Sequence, residues 1–458
     1  MLAKFVREVH DVGVGYNFVS ADRAQRFLLP PDMAEWLPED HLAWFVIDVV
    51  GEIDLDRFRR SYRSDGHGRP AYDPEMMVAL LLYAYCSGVR SSRVIERRCV
   101  EDVAFRVLAG NHRPDHVTIA RFRTRHAESL AAVFVDSLRL CAEAGLVRLG
   151  VVALDGTKMG TDASVDANRT LEDLTSTVEA MITEAAAADA AEDDDPDEAV
   201  PAPLRDRGER LVRLQAAKTR LETVAAERAR RFEDRSRISN EARAAKGLPP
   251  REFRPRPRTE APQPNATANT TDPESRVMRG RGGAVQGYNA QAACTADQVI
   301  VVAEVTQAAN DLEQLPTMLT AVGDTLAAAG IAQRPDALVA DAGYWRIENV
   351  NGSIVDAPEL FIAVAKHARR GKPRKDGKPS ESKSDVFVAE MKAKLKTDRG
   401  GEMMKMRKST IEPVFGQIKD ARGARRFSRR GLAAARTEWQ LLCAAHNLTK
   451  LWRHQLTA

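Results

Sequence analysis

Gly150-Val151-Val152-Ala153-Leu154-Asp155-Gly156-Thr157 is a short apolar run that ends on a carboxylate and a glycine. Such a run reads as a buried strand whose end is marked by the Asp-Gly pair. The same pattern returns far along the chain, at Asp336-Ala337-Leu338-Val339-Ala340-Asp341-Ala342-Gly343. Between the two, Ala284 to Cys294 alternates with period two, Thr295 to Gln298 makes a turn, and Val299 to Val305 is a second strand, which together predict a hairpin. Asp311 caps a predicted helix through about Ala329. A short helix follows around Trp345 to Asn351, then a strand at Leu360 to Ala365. A basic Gly/Pro/Ser-rich loop at 367–384 leads into helices that close the chain, including Ser409 to Lys419 and Arg436 to Leu451.

Upstream of this pattern the chain reads as helical, from residue 20 to about 147. His41 to Val50 is amphipathic, and Asp54 caps a segment through Tyr62. Asp73-Pro74-Glu75 combines a capping Asp, Pro at the first helical position and Glu in the first turn, so a helix starts there. Met76 to Tyr85 is apolar nearly all round, as in a buried helix. Ser91 or Ser92 caps a further helix through Arg98, and another begins near His116 and carries Arg121, Arg123 and Arg125. Short helices joined by tight turns, one of them studded with arginines, suit a helix-turn-helix-like DNA binder.

Residues 169–274 read as a separate insert. Leu171 to Ala191 is helical and alanine-rich, the acidic run Glu192-Asp193-Asp194-Asp195 follows, and Arg207 to Arg237 is a long charged helix with Leu211, Leu214, Leu221 and Val224 on one side. The two helices pair as a hairpin, and Gly247 to Asn269 reads as an extended or mobile linker. The expected organisation is therefore a helical N-terminal DNA-binding domain at 20–147, a catalytic core split between 148–168 and 275–422, the insert, and C-terminal helices at 423–458.

The chain of 458 residues is 44% hydrophobic and 29% charged, enough to bury a core. No apolar run is long enough for a membrane span, and Met1 to Val14 carries Lys4, Glu8 and Asp11 where a signal peptide needs an apolar centre. Cys86, Cys99, Cys141, Cys294 and Cys443 are widely spaced and read as reduced core residues. The expectation is a soluble, cytoplasmic protein. Its 68 basic and 65 acidic side chains nearly cancel, but the basic ones cluster at Arg205 to Arg258 and Lys419 to Arg430, which is what phosphate contacts require.

The element order is a strand ending in Asp155, a hairpin, a helix, a strand ending in Asp341, a helix, a strand, and a helix containing Glu412. That succession is the α/β mixed sheet of a ribonuclease-H-like fold. In that layout the two aspartates end neighbouring strands, and a helix crossing the edge presents Glu412 to both. Three carboxylates make an all-oxygen site for magnesium or manganese, and two such ions suit in-line phosphodiester chemistry. Glu304 and Asp311 are candidates for a fourth carboxylate, with helix capping the better reading for Asp311. His367 and His446 lack metal-like spacing and read as structural. For Tyr288 and Trp345, core packing is preferred over base stacking.

The segments Ala153 to Lys158, Gly282 to Gln291, Ala340 to Tyr344 and Ser409 to Lys419 resemble DDE transposases of bacterial insertion sequences. Thr118-Ile119-Ala120-Arg121-Phe122-Arg123 is similar to an element of the helical domain that precedes their catalytic core. The resemblance implies Asp155, Asp341 and Glu412 as the metal-binding catalytic triad and Mg²⁺ or Mn²⁺, two ions, as cofactor. It also implies DNA, as terminal inverted repeats and target, as partner, and a homodimer on paired ends. Lys419 matches the lysine of the family's Tyr-Arg-Glu-Lys signature. The arginine position is Lys408 here, with Arg407 beside it, and the tyrosine position is Lys405. Lys408 and Arg407, with Arg121, Arg123 and Arg125, complete the expected DNA contacts. The alternative reading is a transposase-derived protein that binds DNA without cutting it, against which the intact triad argues.

Overall fold

The computed structural model describes residues 32–62, 70–192, 202–253, 262–263, 265–280, 283–352, 354, 356–364 and 383–457. His367, nearly all of the basic segment at 367–384, the acidic residues 193–195 and the chain before residue 32 lie outside them.

The N-terminal part is a cluster of short helices: α1 (Leu42–Gly51), α2 (Asp56–Arg59), α3 (Pro74–Cys86), α4 (Ser92–Glu101), α5 (Val103–Leu108), α6 (His116–Arg125) and α7 (Ala127–Glu143). Asp73 caps α3 by accepting from the Glu75 amide at 2.9 Å, with Pro74 in the first turn where its missing N–H costs nothing. Nine consecutive residues of α3, Met77 to Tyr85, are buried, so this helix is enclosed on every side. Asp115 caps α6 through the amides of Val117 and Thr118, both at 2.9 Å. The segment expected after Asp54 makes only the single turn of α2.

The central strand β1 spans Val151–Gly160, longer than the apolar run alone suggests. Lys158, Met159 and Gly160 continue it because they pair with Asn289, Tyr288 and Gly287. The insert follows: β2 (Asn168–Thr170), α8 (Leu171–Glu192), α9 (Ala202–Ala244) and β3 (Thr267–Asn269). Helices α8 and α9 pack as a hairpin on their own small core of Leu174, Val178, Leu214, Ala217, Leu221 and Ala268. β2 and β3 form a two-stranded ribbon beside it, so the end of the stretch read as linker, Thr267 to Asn269, is paired strand.

β4 (Arg276–Gly280), β5 (Gly283–Thr295), β6 (Ile300–Thr306), α10 (Gln314–Ala328), β7 (Ala337–Ala340), α11 (Ile347–Val350), β8 (Glu359–Ile362), α12 (Lys383–Lys396), α13 (Asp398–Gly416) and α14 (Leu432–Gln455) complete the chain. β1 lies inside a six-stranded sheet of order β4-β5-β1-β7-β8, with β6 on β5. β5 is antiparallel to β1, while β7 and β8 run parallel to it, with Leu154 facing Ala340. This mixed sheet with helices on its faces is the α/β, ribonuclease-H-like arrangement, joined to a helical N-terminal region.

One hydrophobic core runs from the N-terminal helices into the sheet. The joint is α14, whose Leu441 to Leu448 are all buried and which packs on α7, α3 and β6. Asn447 serves the edge strand: its side-chain oxygen accepts from Ile300 N at 2.8 Å and its amide donates to Ile300 O at 2.9 Å. All five cysteines are free, and four of them are buried. Among the described residues no helix is long and apolar enough to cross a membrane.

His446 on α14 is buried, with Nε2 2.8 Å from the carbonyl of Gln298 and Nδ1 without a partner. Burial pushes its pKa down from 6.5 to about 3. The folded value lies below the unfolded one, so the unfolded chain takes up the proton first. Stability is complete above the unfolded value and falls as pH drops from 6.5 toward 3, by up to about 5 kcal/mol from this group. The urea midpoint of His446→Gln, lower than wild type at neutral pH, is expected to fall less steeply across that interval. An unchanged slope contradicts the assignment.

Candidate active site

Asp155 and Asp341 stand side by side because the residues before them, Leu154 and Ala340, are direct partners in the parallel β1–β7 pair, and neighbouring strands lie about 4.8 Å apart. Each carboxylate is oriented by a backbone amide just beyond it. Asp155 Oδ1 accepts from Gly156 N and Asp341 Oδ1 from Gly343 N, both at 2.8 Å. Burial, and next the Asp341 charge, push the Asp155 pKa up to about 6, while the Gly156 amide and Arg407 pull against them. Across the β5 ladder, Asp155 and Thr157 face Ala292 and Ala290, whose small side chains leave room above the strand.

The third carboxylate comes from α13, which packs on β1, β5 and β7. Glu412 reaches the same rim, but through an intermediary. Arg407, five residues before it, donates from Nη1 to Asp155 Oδ2 at 3.0 Å and from Nη2 to Glu412 Oε1 at 3.1 Å. The arginine side chain is 11% exposed, Asp155 18% and Glu412 47%. Among the described residues no three His, Cys, Asp or Glu side chains are grouped to hold a metal ion. The Arg407 fork lies between Asp155 and Glu412, bonded to one oxygen of each.

Local chemistry fixes where α13 lies. Pro413 follows Glu412 and has no N–H, so the carbonyl of Ser409 lacks its usual intrahelical partner. Gln298, at a positive φ of 62° in the β5–β6 turn, supplies the bond instead, with Nε2 3.1 Å from Ser409 O. The Gln298 side-chain oxygen also accepts from Gln417 at 3.2 Å and Lys450 at 3.0 Å, so one turn residue ties α13 and α14 to the sheet. Beyond α13 a π-type turn, Gln417–Ala421, swings Lys419 back onto β1. Its ammonium donates to Thr157 Oγ1 at 2.8 Å and to Lys158 O at 3.0 Å.

Side chains alternate along β1, so Gly156 and Lys158 share the opposite pleat from Asp155 and Thr157. That pleat holds a second polar group. Asp311 Oδ1 accepts from Asn289 Nδ2 and Gln291 Nε2, both at 2.6 Å, and lies 3.7 Å from Lys158 Nζ. Tyr344 donates to the Gln291 side-chain oxygen, completing a chain from β5 to the loop after Asp341. Gly343 is required there: a Cβ would meet Asp341 Oδ1 at 2.9 Å and Asp311 Oδ2 at 3.3 Å. Gly156 is equally constrained, since a Cβ would meet Asp311 Oδ1 at 2.6 Å. Asp311 is thus not the side-chain cap of α10, which begins at Gln314 after Glu313. It belongs to the support of the carboxylate pair. The sequence signal that could have found it was the alternation of Asn289 and Gln291, two buried amides on one face of a strand that need a partner.

The remaining candidates separate. Glu304 pairs with Arg436 at 3.1 Å. Tyr288 is buried and donates to Asp272 at 2.7 Å, and Trp345 packs against the core. On α6, Arg121 and Arg125 are exposed, with Arg125 lying 4.3 Å over the Tyr62 ring and donating to Ser61 O. Arg123 points inward instead. It is 5% exposed and lies 5.7 Å from the centre of the Tyr85 ring, which fits helix geometry, because residues two apart do not share a face. Lys408 is exposed. A cleft of about 2040 Å³ runs along α3 and α6, lined by Arg90, Arg93, Arg121, Arg125 and Arg429 among others, with Asp115 at the α6 end.

A family model described as Transposase domain (DUF772) matches residues 31–125, and one described as Transposase DDE domain matches residues 372–452. No curated protein and no solved structure matches the chain. The N-terminal helices are thus similar to a transposase domain and the C-terminal helices to a transposase DDE domain, joined by a mixed sheet on which Asp155 and Asp341 lie side by side.

Proposed function

We propose that the chain is a DDE transposase of an insertion sequence, which binds the terminal inverted repeats of its element and cuts the phosphodiester at each end. The exposed 3′-hydroxyl is then joined to target DNA in the same site. The observation that carries this reading is the adjacency of Asp155, in mid-β1, and Asp341, just past β7, where the parallel pairing of the two strands ends, with Glu412 on a helix packed against both strands. The donor set is entirely carboxylate, as a hard divalent cation such as Mg²⁺ or Mn²⁺ prefers, and it includes a carboxylate pair whose mutual repulsion a cation relieves. Asp155, Asp341 and Glu412 would hold the metal, two ions in the complete site. When bound, such ions supply an activated water or 3′-hydroxyl and stabilise the departing oxygen. The chain's own residues do the rest: the Gly156 and Gly343 amides orient the two aspartates, and Asp311, Asn289 and Gln291 brace the strand behind them.

Arg121, Arg125 and the cationic cleft beside α6 take the DNA backbone, and Lys408 and Lys419 flank the cut strand. A homodimer on paired ends, acting in the cytoplasm on chromosomal DNA, completes the reading. The test is incubation with DNA carrying the inverted repeats that flank the coding region, with Mn²⁺, and sizing on a denaturing gel. Metal-dependent nicks at the repeat termini are expected. DNA bound but never cut, under any divalent ion, favours the non-cutting alternative.

A further inference from the structure

Arg407 sits where the proposed chemistry needs a metal. Its fork spans Asp155 and Glu412 at 3.0 and 3.1 Å, and its Nε is buried without a partner. A guanidinium holds two oxygens through separate nitrogens at about 3 Å, whereas Mg²⁺ draws its ligands to about 2.1 Å. The two compete for the same carboxylates, since a fork that spans them does not let both close to ion-ligand distance. A cation entering beside it meets a guanidinium already bonded to two of the three carboxylates.

We propose that Arg407 is a built-in counter-ion, which holds Asp155 and Glu412 in the metal-free protein and is displaced when a divalent cation binds. This rests on the metal-binding reading above. In the free protein the arginine offsets the carboxylate repulsion and keeps the rim assembled. On metal binding, Glu412, nearly half exposed at the helix surface, turns inward and the guanidinium is released. Arg407 therefore becomes available to a DNA phosphate only in the metal-loaded state, which makes it a positioning residue whose partner changes.

The test needs no DNA. Mn²⁺ binding to the full-length protein is measured by calorimetry for wild type, Arg407→Gln and Arg407→Lys, each with and without Asp155→Asn. Thermal unfolding is recorded with and without Mn²⁺. Arg407→Gln is expected to bind Mn²⁺ about tenfold more tightly than wild type. Its melting temperature should be lower without metal and rise more on adding it. Arg407→Lys, which keeps the charge but cannot bridge two carboxylates, is expected to fall between and serves if the glutamine variant does not fold. Unchanged or weaker Mn²⁺ binding in both folded variants overturns the proposal and leaves the transposase reading standing. Mn²⁺ binding that Asp155→Asn does not affect overturns the metal site itself, and the displacement with it.

Discussion

Asp155→Asn is expected to lower end cleavage by roughly 10³-fold or more while leaving affinity for end DNA within about twofold. The substitution keeps the size of the side chain and can keep the hydrogen bond from Gly156 N at 2.8 Å, so the strand end is preserved. What disappears is the negative charge beside Asp341, and with it an anionic ligand for a cation. The exposed arginines of α6 lie on the helical part of the molecule and are untouched. Cleavage and gel-shift assays on the same preparation separate the two effects. Cutting at a tenth of the wild-type rate or faster takes Asp155 out of the mechanism.

Trp439→Ala is expected to cost about 4 kcal/mol of folding stability. Trp439 is fully buried, donates from Nε1 to Gln291 O at 2.9 Å, and lies 6.3 Å from the Phe415 ring of α13. The indole therefore joins α14 to the central hairpin and to the helix that carries Glu412. Because α14 also packs on α3 and α7, the loss is felt on both sides of the shared core. Trp439→Phe, which keeps most of the volume and loses the donor, is expected to cost about 1–2 kcal/mol, since Gln291 O then loses a buried partner. Urea denaturation measures both, and a loss under about 1 kcal/mol for the alanine variant contradicts the role given to α14.

Much of the fold was legible because two short runs, at Val151 and Ala337, are too apolar and too brief for anything but buried strands, and each ends on Asp-x-Gly or Asp-Gly. The cap at Asp73 was legible for a similar reason, as a capping carboxylate works through amides only two or three residues away. Contacts between distant segments were not. Nothing local distinguishes Arg407, turned onto Asp155 from 252 residues away, from Lys408, which faces solvent. Asp311 looked like a helix cap because its real partners, Asn289 and Gln291, lie on a strand two elements earlier. Arg123 read as a DNA contact alongside Arg121 and Arg125 until its position on the helix placed it against Tyr85. The separation of the C-terminal helices from the N-terminal region on paper likewise gives way to one core, since a helix buried on nearly every side has no sequence signature of what surrounds it.

The most direct measurement is anomalous diffraction from crystals of the wild-type protein without DNA, where nothing can be cut, grown with Mn²⁺ and, for comparison, without it. The account predicts a manganese peak within about 2.2 Å of an Asp341 carboxylate oxygen, with Glu412 turned toward it and Arg407 no longer between the acidic side chains. Manganese bound elsewhere, with Arg407 still bridging Asp155 and Glu412 in the crystals grown with Mn²⁺, contradicts it.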